Sequence, residues 1–99
     1  MNITTESTQT MTDQLNLIKG EFSPTDAYDI LENLISKKIN YHIARNFSSE
    51  IRFGKKDHYS IQRISELKEM QNFFNELIED AKQQGKKISI HSDILIKLV

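Results

Sequence analysis

Apolar and polar residues alternate at the carboxyl end of the chain. The apolar residues of one parity are Ile88, Ile90, Ile94, Ile96 and Leu98. A period of two residues is typical of a β-strand with one buried face, so we predict a strand over residues 88–98. Ser92 interrupts this face. A turn at Ser92 and Asp93 would scatter the isoleucines over both faces, whereas a continuous strand with a bulge near Ser92 keeps them together.

The amino-terminal part of the chain is less regular. Residues 1–12 are polar and rich in threonine, which predicts a flexible tail ahead of a single domain over residues 13–99. A short strand is predicted over residues 15–22. In that segment Leu15 and Leu17 share one parity, while Ile18 and Phe22 share the other. We therefore expect the first strand to be shorter than the last one.

Two long helices are predicted between the strands. Ser23 followed by Pro24 is typical of a helix start, because a serine hydroxyl caps free N–H groups and proline fits the first helical position. Apolar residues then recur at steps of three and four up to about residue 47. Asp57 is the predicted cap of a second helix over residues 58–84, and Gly85 stands where a helix-terminating glycine belongs. Met70 and Phe73 lie at the edge of its apolar stripe.

The order strand, helix, helix, strand predicts an α+β fold. An antiparallel helical hairpin should pack on a small antiparallel sheet and cover the even-numbered isoleucines of the last strand. Two strands alone are marginal, and a long apolar edge without a partner invites another chain. We therefore expect a homodimer that extends the sheet. Its predicted edge consists of Ile88, Ile90, Ile94, Leu95 and Ile96.

Length and composition fit one small globular domain. The chain has 99 residues, of which 37% are hydrophobic and 27% charged, and a core of this size gains from self-association. Cysteine is absent, which excludes disulfides and thiolate zinc sites. No apolar run approaches the roughly 18 residues that a membrane span needs, and no signal peptide is recognisable. We expect a cytoplasmic protein without membrane contact.

Charge is distributed unevenly along the chain. The net charge is −1, yet residues 37–63 carry seven lysines and arginines against two acidic residues, or +5. Basic and aromatic residues that alternate are typical of nucleic-acid or anionic-ligand binding. The candidate residues are Arg45, Arg52, Phe53, Lys55, Lys56 and Arg63. The alternative is that Phe47, Ile51 and Phe53 close the core while the charges form a solvated rim. We favour this alternative, with Phe47 and Phe53 buried, because the whole chain is not basic.

Catalytic and metal-binding patterns are weak in this sequence. His42, His58 and His91 have no spacing typical of metal ligands, and the three glycines do not form a phosphate-binding loop. We expect no cofactor, no metal and no catalysis. The sequence favours a non-enzymatic interaction module that self-associates through its sheet edge. Nucleic-acid or anionic-ligand binding by the inter-helix loop is the second hypothesis, and a module that needs an unknown protein partner is the third.

Overall fold

The computed structural model describes residues 12–99. Along the chain it contains strand β1 (Thr12–Phe22), helix α1 (Pro24–Phe53), helix α2 (His58–Gln84) and strand β2 (Ile88–Lys97). The predicted α+β architecture is confirmed: the helices form an antiparallel hairpin, and the two strands pair with each other. The predicted tail lies outside the described residues except for Thr12, which is the first residue of β1.

Local capping interactions set the start of both helices. The Ser23 hydroxyl accepts a hydrogen bond from the Asp26 N–H at 3.1 Å, and Pro24 occupies the first turn. The Asp57 carboxylate does the same for the Ser60 N–H at 3.2 Å. Each helix ends at a glycine in the left-handed region, Gly54 with φ 65° and Gly85 with φ 64°. These positive φ angles favour glycine at both ends.

Helix α1 is longer than its sequence pattern predicts. It continues past residue 47 to Phe53, so the predicted inter-helix loop shortens to residues 54–57. Contacts with that short linker support the additional turns. The Ser49 hydroxyl donates to the Lys55 carbonyl at 2.8 Å, and the Asn46 amide oxygen accepts from the Asp57 N–H at 2.8 Å. The partners are six and eleven residues apart, so these contacts depend on the course of the linker.

The two strands pair along nearly their whole length. Phe22 lies opposite Ile88 at one end and Thr12 opposite Lys97 at the other. The expectation that the last strand outreaches the first is therefore wrong, because β1 includes polar residues ahead of Leu15. We call this two-stranded unit the ribbon. Within residues 12–99 it has no third strand, so each strand keeps one open edge.

A bulge at Leu17 resolves the mixed parity of β1. Asn16 lies opposite Asp93 and Ile18 opposite Ser92, which leaves Leu17 as an extra residue. The predicted bulge near Ser92 is thus present, but the inserted residue belongs to the facing strand. Directly opposed residues share one face of a sheet. The inner face of the ribbon, which meets the helices, consists of Asp13, Leu15, Ile18, Gly20, Phe22, Ile88, Ile90, Ser92, Ile94 and Ile96.

Within residues 12–99 the core consists of two small clusters. At the base of the hairpin, Ala27, Ile78 and Ala81 pack with Ile88, and Phe22 and Ile90 join them. Farther along the hairpin, a second cluster of Ile35, Ile39 and Leu67 packs with Ile64 and Phe74. The ribbon reaches only the first cluster, so its buried contacts in residues 12–99 lie at the base.

The ribbon diverges from the hairpin beyond this base. Ile94 is 38% exposed and Ile96 is 50% exposed, so the expectation that the hairpin covers all even-numbered isoleucines is wrong. The described residues span 49 × 44 × 15 Å, with a radius of gyration of 17.6 Å. A compact chain of this length has a radius near 13 Å. The molecule is therefore flat and open, with two arms that meet at one corner. No helix within residues 12–99 is both long enough and apolar enough to cross a membrane.

Candidate functional site

A buried hydrogen-bond chain ties the two helices together near the linker. We call residues 42–60 the hairpin tip. Ser60 is 1% exposed, and its hydroxyl donates to Asp57 Oδ2 at 3.0 Å. Since a hydroxyl has one proton, the 3.1 Å contact with His42 requires His42 Nδ1 to be the donor. His42 is only 5% exposed, so both side chains of this contact are buried.

This chain also holds Asp57 in its ionised form. The Ser60 N–H and then the Ser60 hydroxyl lower the pKa of Asp57 below its ordinary value of 3.8, because both donate to the charged carboxylate. Desolvation opposes this shift, while the charges of Arg45 and His42 add to it. Asp57 therefore caps α2 and also lines one side of the adjacent surface pocket.

The hairpin tip carries a pocket of about 210 Å³. It is lined by Arg45, Ser48, Ser49, Arg52, Phe53 and Asp57. Arg45 and Arg52 are seven residues apart, or two helical turns, which places them on one side of α1. Arg45 Nε lies 4.0 Å from Asp57 Oδ2, and the Arg45 side chain is largely exposed. Two guanidinium groups and an aromatic ring therefore border one shallow opening.

The structure brings together only part of the predicted basic site. Arg45, Arg52 and Phe53 line the tip pocket. Lys55 and Lys56 are exposed in the linker beside it and do not line it. Arg63 is drawn to Glu66 by a 2.6 Å contact within α2, so it does not join the group. Ser48, Ser49 and Asp57, which the prediction omitted, also line the pocket. Ser48 was recognisable by its position one turn after Arg45.

The expected burial of Phe47 and Phe53 is wrong. The residues are 64% and 70% exposed, respectively. The reason is that α1 continues through this segment, so that its last turn projects beyond the core instead of folding back over it. The hairpin tip is closed by the His42–Ser60–Asp57 chain instead. The structure therefore leaves the Phe53 ring available at the surface.

The polar groups of the hairpin tip have a structural role. Ser60 is buried and donates to a carboxylate, which is not the geometry of a nucleophile activated by histidine. Among residues 12–99 no group of three or more His, Asp or Glu residues lies close enough to hold a metal ion. The chain from His42 to Asp57 is best described as a buried helix cap.

The ribbon is the second surface of interest. Of its five predicted edge residues, Ile88 is buried and Ile90 is half-buried, whereas Ile94, Leu95 and Ile96 are exposed. The predicted edge thus has two halves. The inner half, Ile88 and Ile90, lies in or beside the core, and the apolar outer half, residues 94–96, is exposed. Between this ribbon and the hairpin lies an apolar groove of about 360 Å³, whose lining includes Leu31, Leu34, Phe74, Leu77, Ile88 and Ile90.

A polar network occupies the outer face of the ribbon. Asp93 accepts hydrogen bonds from Gln14 Nε2 at 2.8 Å and from the Asn16 amide, and His91 Nε2 lies 3.0 Å from it. The bond from Gln14 is the largest cause of the lowered pKa of Asp93, with Asn16 and His91 adding to it against desolvation. Because the bonds from Gln14 and Asn16 cross between the strands, they hold the outer half of the ribbon in register.

Comparison of the chain with protein-family models, with curated proteins and with solved structures found no match. The functional argument below therefore depends on the geometry of the ribbon and of the hairpin tip.

Proposed function

We propose that the protein is a non-enzymatic interaction module that forms a two-fold homodimer through the open edge of β2. The observation that carries this proposal is the exposed apolar outer half of a two-stranded ribbon. Soluble proteins normally protect such edges, since unpaired N–H and C=O groups on a flat apolar strand recruit other chains. A second copy supplies a strand of identical length and composition.

Antiparallel pairing of β2 with β2 of the partner produces a four-stranded sheet. Four strands is close to the usual size of a sheet, whereas two are marginal. A two-fold arrangement also closes on itself, so it does not grow into a fibre. Pairing near the middle of β2 places Ile94 and Ile96 of one copy beside Ile90 and Ile88 of the other.

The same arrangement covers the exposed inner face. A two-fold axis perpendicular to the sheet keeps both inner faces on one side, where both hairpins stand. Ile94 and Ile96 of one copy then lie at the foot of the other copy's groove, near Leu34 and Leu77. These two leucines are partly exposed in a single chain. One dimer thus uses both apolar surfaces that the open shape leaves uncovered.

Two matched lysine substitutions test the role of the ribbon face. Ile96 and Ile43 are 50% and 49% exposed, but Ile43 lies on α1, away from the ribbon and its groove. We expect the unmodified protein to sediment as a dimer at micromolar concentration. Ile96→Lys should convert it to a folded monomer, and Ile43→Lys should leave the dimer intact. A monomeric unmodified protein, or dissociation by Ile43→Lys alone, would contradict the proposal.

A pair of prolines tests the edge itself. Consecutive N–H groups of a strand point to opposite sides, so one of Ile94 and Leu95 donates toward β1 and the other toward the open edge. Proline removes one such donor. We expect one of the substitutions Ile94→Pro and Leu95→Pro to abolish dimerisation with the fold retained, as measured by circular dichroism. Two folded proline variants that both remain dimers would refute edge pairing.

Introduced cysteines identify the partner strand. The chain has no cysteine of its own, so single cysteines at Ile90, Ser92 and Ile94 are unambiguous probes. If β2 pairs with β2 of the partner, one of these positions lies near the two-fold axis and forms a disulfide between identical residues under mild oxidation. Absence of a disulfide at all three positions would exclude this pairing and leave β1 of the partner as the alternative strand.

A further inference from the structure

We propose that the hairpin tip is a binding site for single-stranded nucleic acid, with a track of basic and aromatic side chains along α1. The inference is independent of dimerisation, since it concerns the end of the hairpin remote from the ribbon. The track consists of Lys38, Tyr41, Arg45, Ser48, Arg52 and Phe53.

Helical spacing aligns the members of this track. Lys38, Tyr41, Arg45, Ser48 and Arg52 follow one another at steps of three or four residues, which places them on one side of α1. Lys38 Nζ lies 5.3 Å from the centre of the Tyr41 ring, and the Arg45 guanidinium carbon lies 6.0 Å from it. From Lys38 to Phe53 the track is about 22 Å long, the length of about six stacked nucleotides.

The aromatic rings favour single strands over a duplex. Phe53 is largely exposed at the tip pocket, and Tyr41 and Tyr59 are exposed on the two helices nearby. Unpaired bases stack on exposed aromatic rings, whereas the bases of a duplex already stack on each other. Arg45 and Arg52 supply paired donors that suit phosphate oxygens, and Ser48 adds a hydroxyl in the same pocket.

The length of α1 separates this site from the acidic first turn of the same helix. Helix α1 has 30 residues and is therefore about 45 Å long. The acidic first turn at Asp26 is thus several Debye lengths from the tip at physiological salt, where that length is about 8 Å. The net charge of −1 is a poor guide to the potential at the tip. The low net charge had favoured a structural role for this segment, but the exposed rings and this separation favour binding.

Two carboxylates of the hairpin tip limit the strength of the site: Asp57, and Glu50, which accepts a hydrogen bond from the Asn46 amide at 2.8 Å. Asp57 lines the tip pocket and faces Arg45. The Ser60 N–H and the Ser60 hydroxyl donate hydrogen bonds to the Asp57 carboxylate and partly compensate its negative charge. Arg52 lines the same pocket, and Lys55 and Lys56 are exposed in the adjoining linker, so with Arg45 four positive side chains stand against these two carboxylates. We therefore expect salt-sensitive binding of moderate affinity, in which phosphate contacts dominate and stacking adds to them.

The test uses a fluorescein-labelled single-stranded oligo(dT) or oligo(U) of about twelve nucleotides, within the site sizes typical of such proteins. Anisotropy titrations at several salt concentrations give the affinity and its salt slope. We expect Arg45→Gln combined with Arg52→Gln to weaken binding at least tenfold and to reduce the slope by about 1.4, or 0.7 per lost phosphate contact. Phe53→Ala should weaken binding about fivefold or more without changing the slope.

A matched control removes the same charge at the other end of the hairpin. Lys86→Gln combined with Lys87→Gln should leave the affinity within about twofold, because these lysines lie more than a Debye length from the track. Absence of binding at low salt, or equal weakening by the two double variants, would overturn the proposal. Equally tight binding of inorganic phosphate or of a mononucleotide would show an anion site instead of a strand-binding track, and would overturn it as well.

Discussion

Replacement of Ser60 by alanine is expected to destabilise the hairpin more than any exposed substitution on the same helix. The Ser60 hydroxyl is the link between His42 and Asp57. Without it, the buried His42 Nδ1–H loses its acceptor, and an unsatisfied buried donor costs about 1–3 kcal/mol. Alanine recovers up to about 0.5 kcal/mol of helix propensity. We expect a net loss of about 2 kcal/mol in the free energy of unfolding.

Urea denaturation followed by far-ultraviolet circular dichroism measures this loss. All variants are compared at one protein concentration, because dimerisation would make stability depend on concentration. Ser65→Ala is the matched control, since Ser65 is exposed on the same helix and should lose nothing. Equal midpoints for the Ser60 and Ser65 variants would refute the hydrogen-bond chain as a stabilising contact.

A second substitution tests whether the unsatisfied histidine is the cause. In the background of Ser60→Ala, replacement of His42 by leucine removes the orphaned N–H group. Since two apolar groups of matching shape can replace a buried hydrogen-bonded pair at little cost, part of the lost stability should return. Strictly additive losses in the double variant would show that His42 and Ser60 act independently.

Two further predictions concern the tip and the ribbon. Phe53→Ala should change the free energy of unfolding by less than about 0.5 kcal/mol, because the ring is 70% exposed, whereas Leu67→Ala in the core should cost about 2–5 kcal/mol; similar urea midpoints for both variants would contradict the exposed position of Phe53. The folded-state pKa of Asp93 lies below its ordinary value of 3.8, so Asp93 stabilises the fold above that pH and the contribution is lost as the pH falls below it. Asp93→Asn should therefore flatten the acid side of the stability profile, and an unchanged profile between pH 2 and pH 5 would show that the contacts of Asp93 add no stability.

Only part of the candidate site was accessible from sequence. Arg45, Arg52 and Phe53 were predicted together, because basic and aromatic residues alternate in this segment. Their alignment on one side of α1 was not predicted, because the helix was expected to end near residue 47. The sequence did not show whether the Arg63 guanidinium would line the tip pocket or contact Glu66. In the structure it contacts Glu66 within α2. The exposure of Phe53 depended on where α1 ends. An apolar residue near the end of a helix can be either buried or exposed, and the sequence around it does not distinguish the two cases.

Helix starts, strand identities and the order of elements were determined by the sequence itself. The residues that cap the helices act on backbone groups within four residues of themselves, so their effect is local and can be recognised in the sequence. They are Ser23 with Pro24, Asp57 and Gly85. The alternation in β2 is local for the same reason. These features predict a helical hairpin with two flanking strands, and the structure contains them.

Only the tertiary structure determined where α1 ends and where the ribbon diverges from the hairpin. The extension of α1 to Phe53 is accompanied by contacts of Asn46 and Ser49 with the linker, which the apolar period does not predict. The bulge at Leu17 and the divergence of the ribbon beyond Ile90 depend on which faces meet at the base. A period of two or of 3.6 residues shows that a face is apolar, but it does not show what covers it. That is settled by contacts between residues distant in the chain, and here they leave Ile94 and Ile96 exposed.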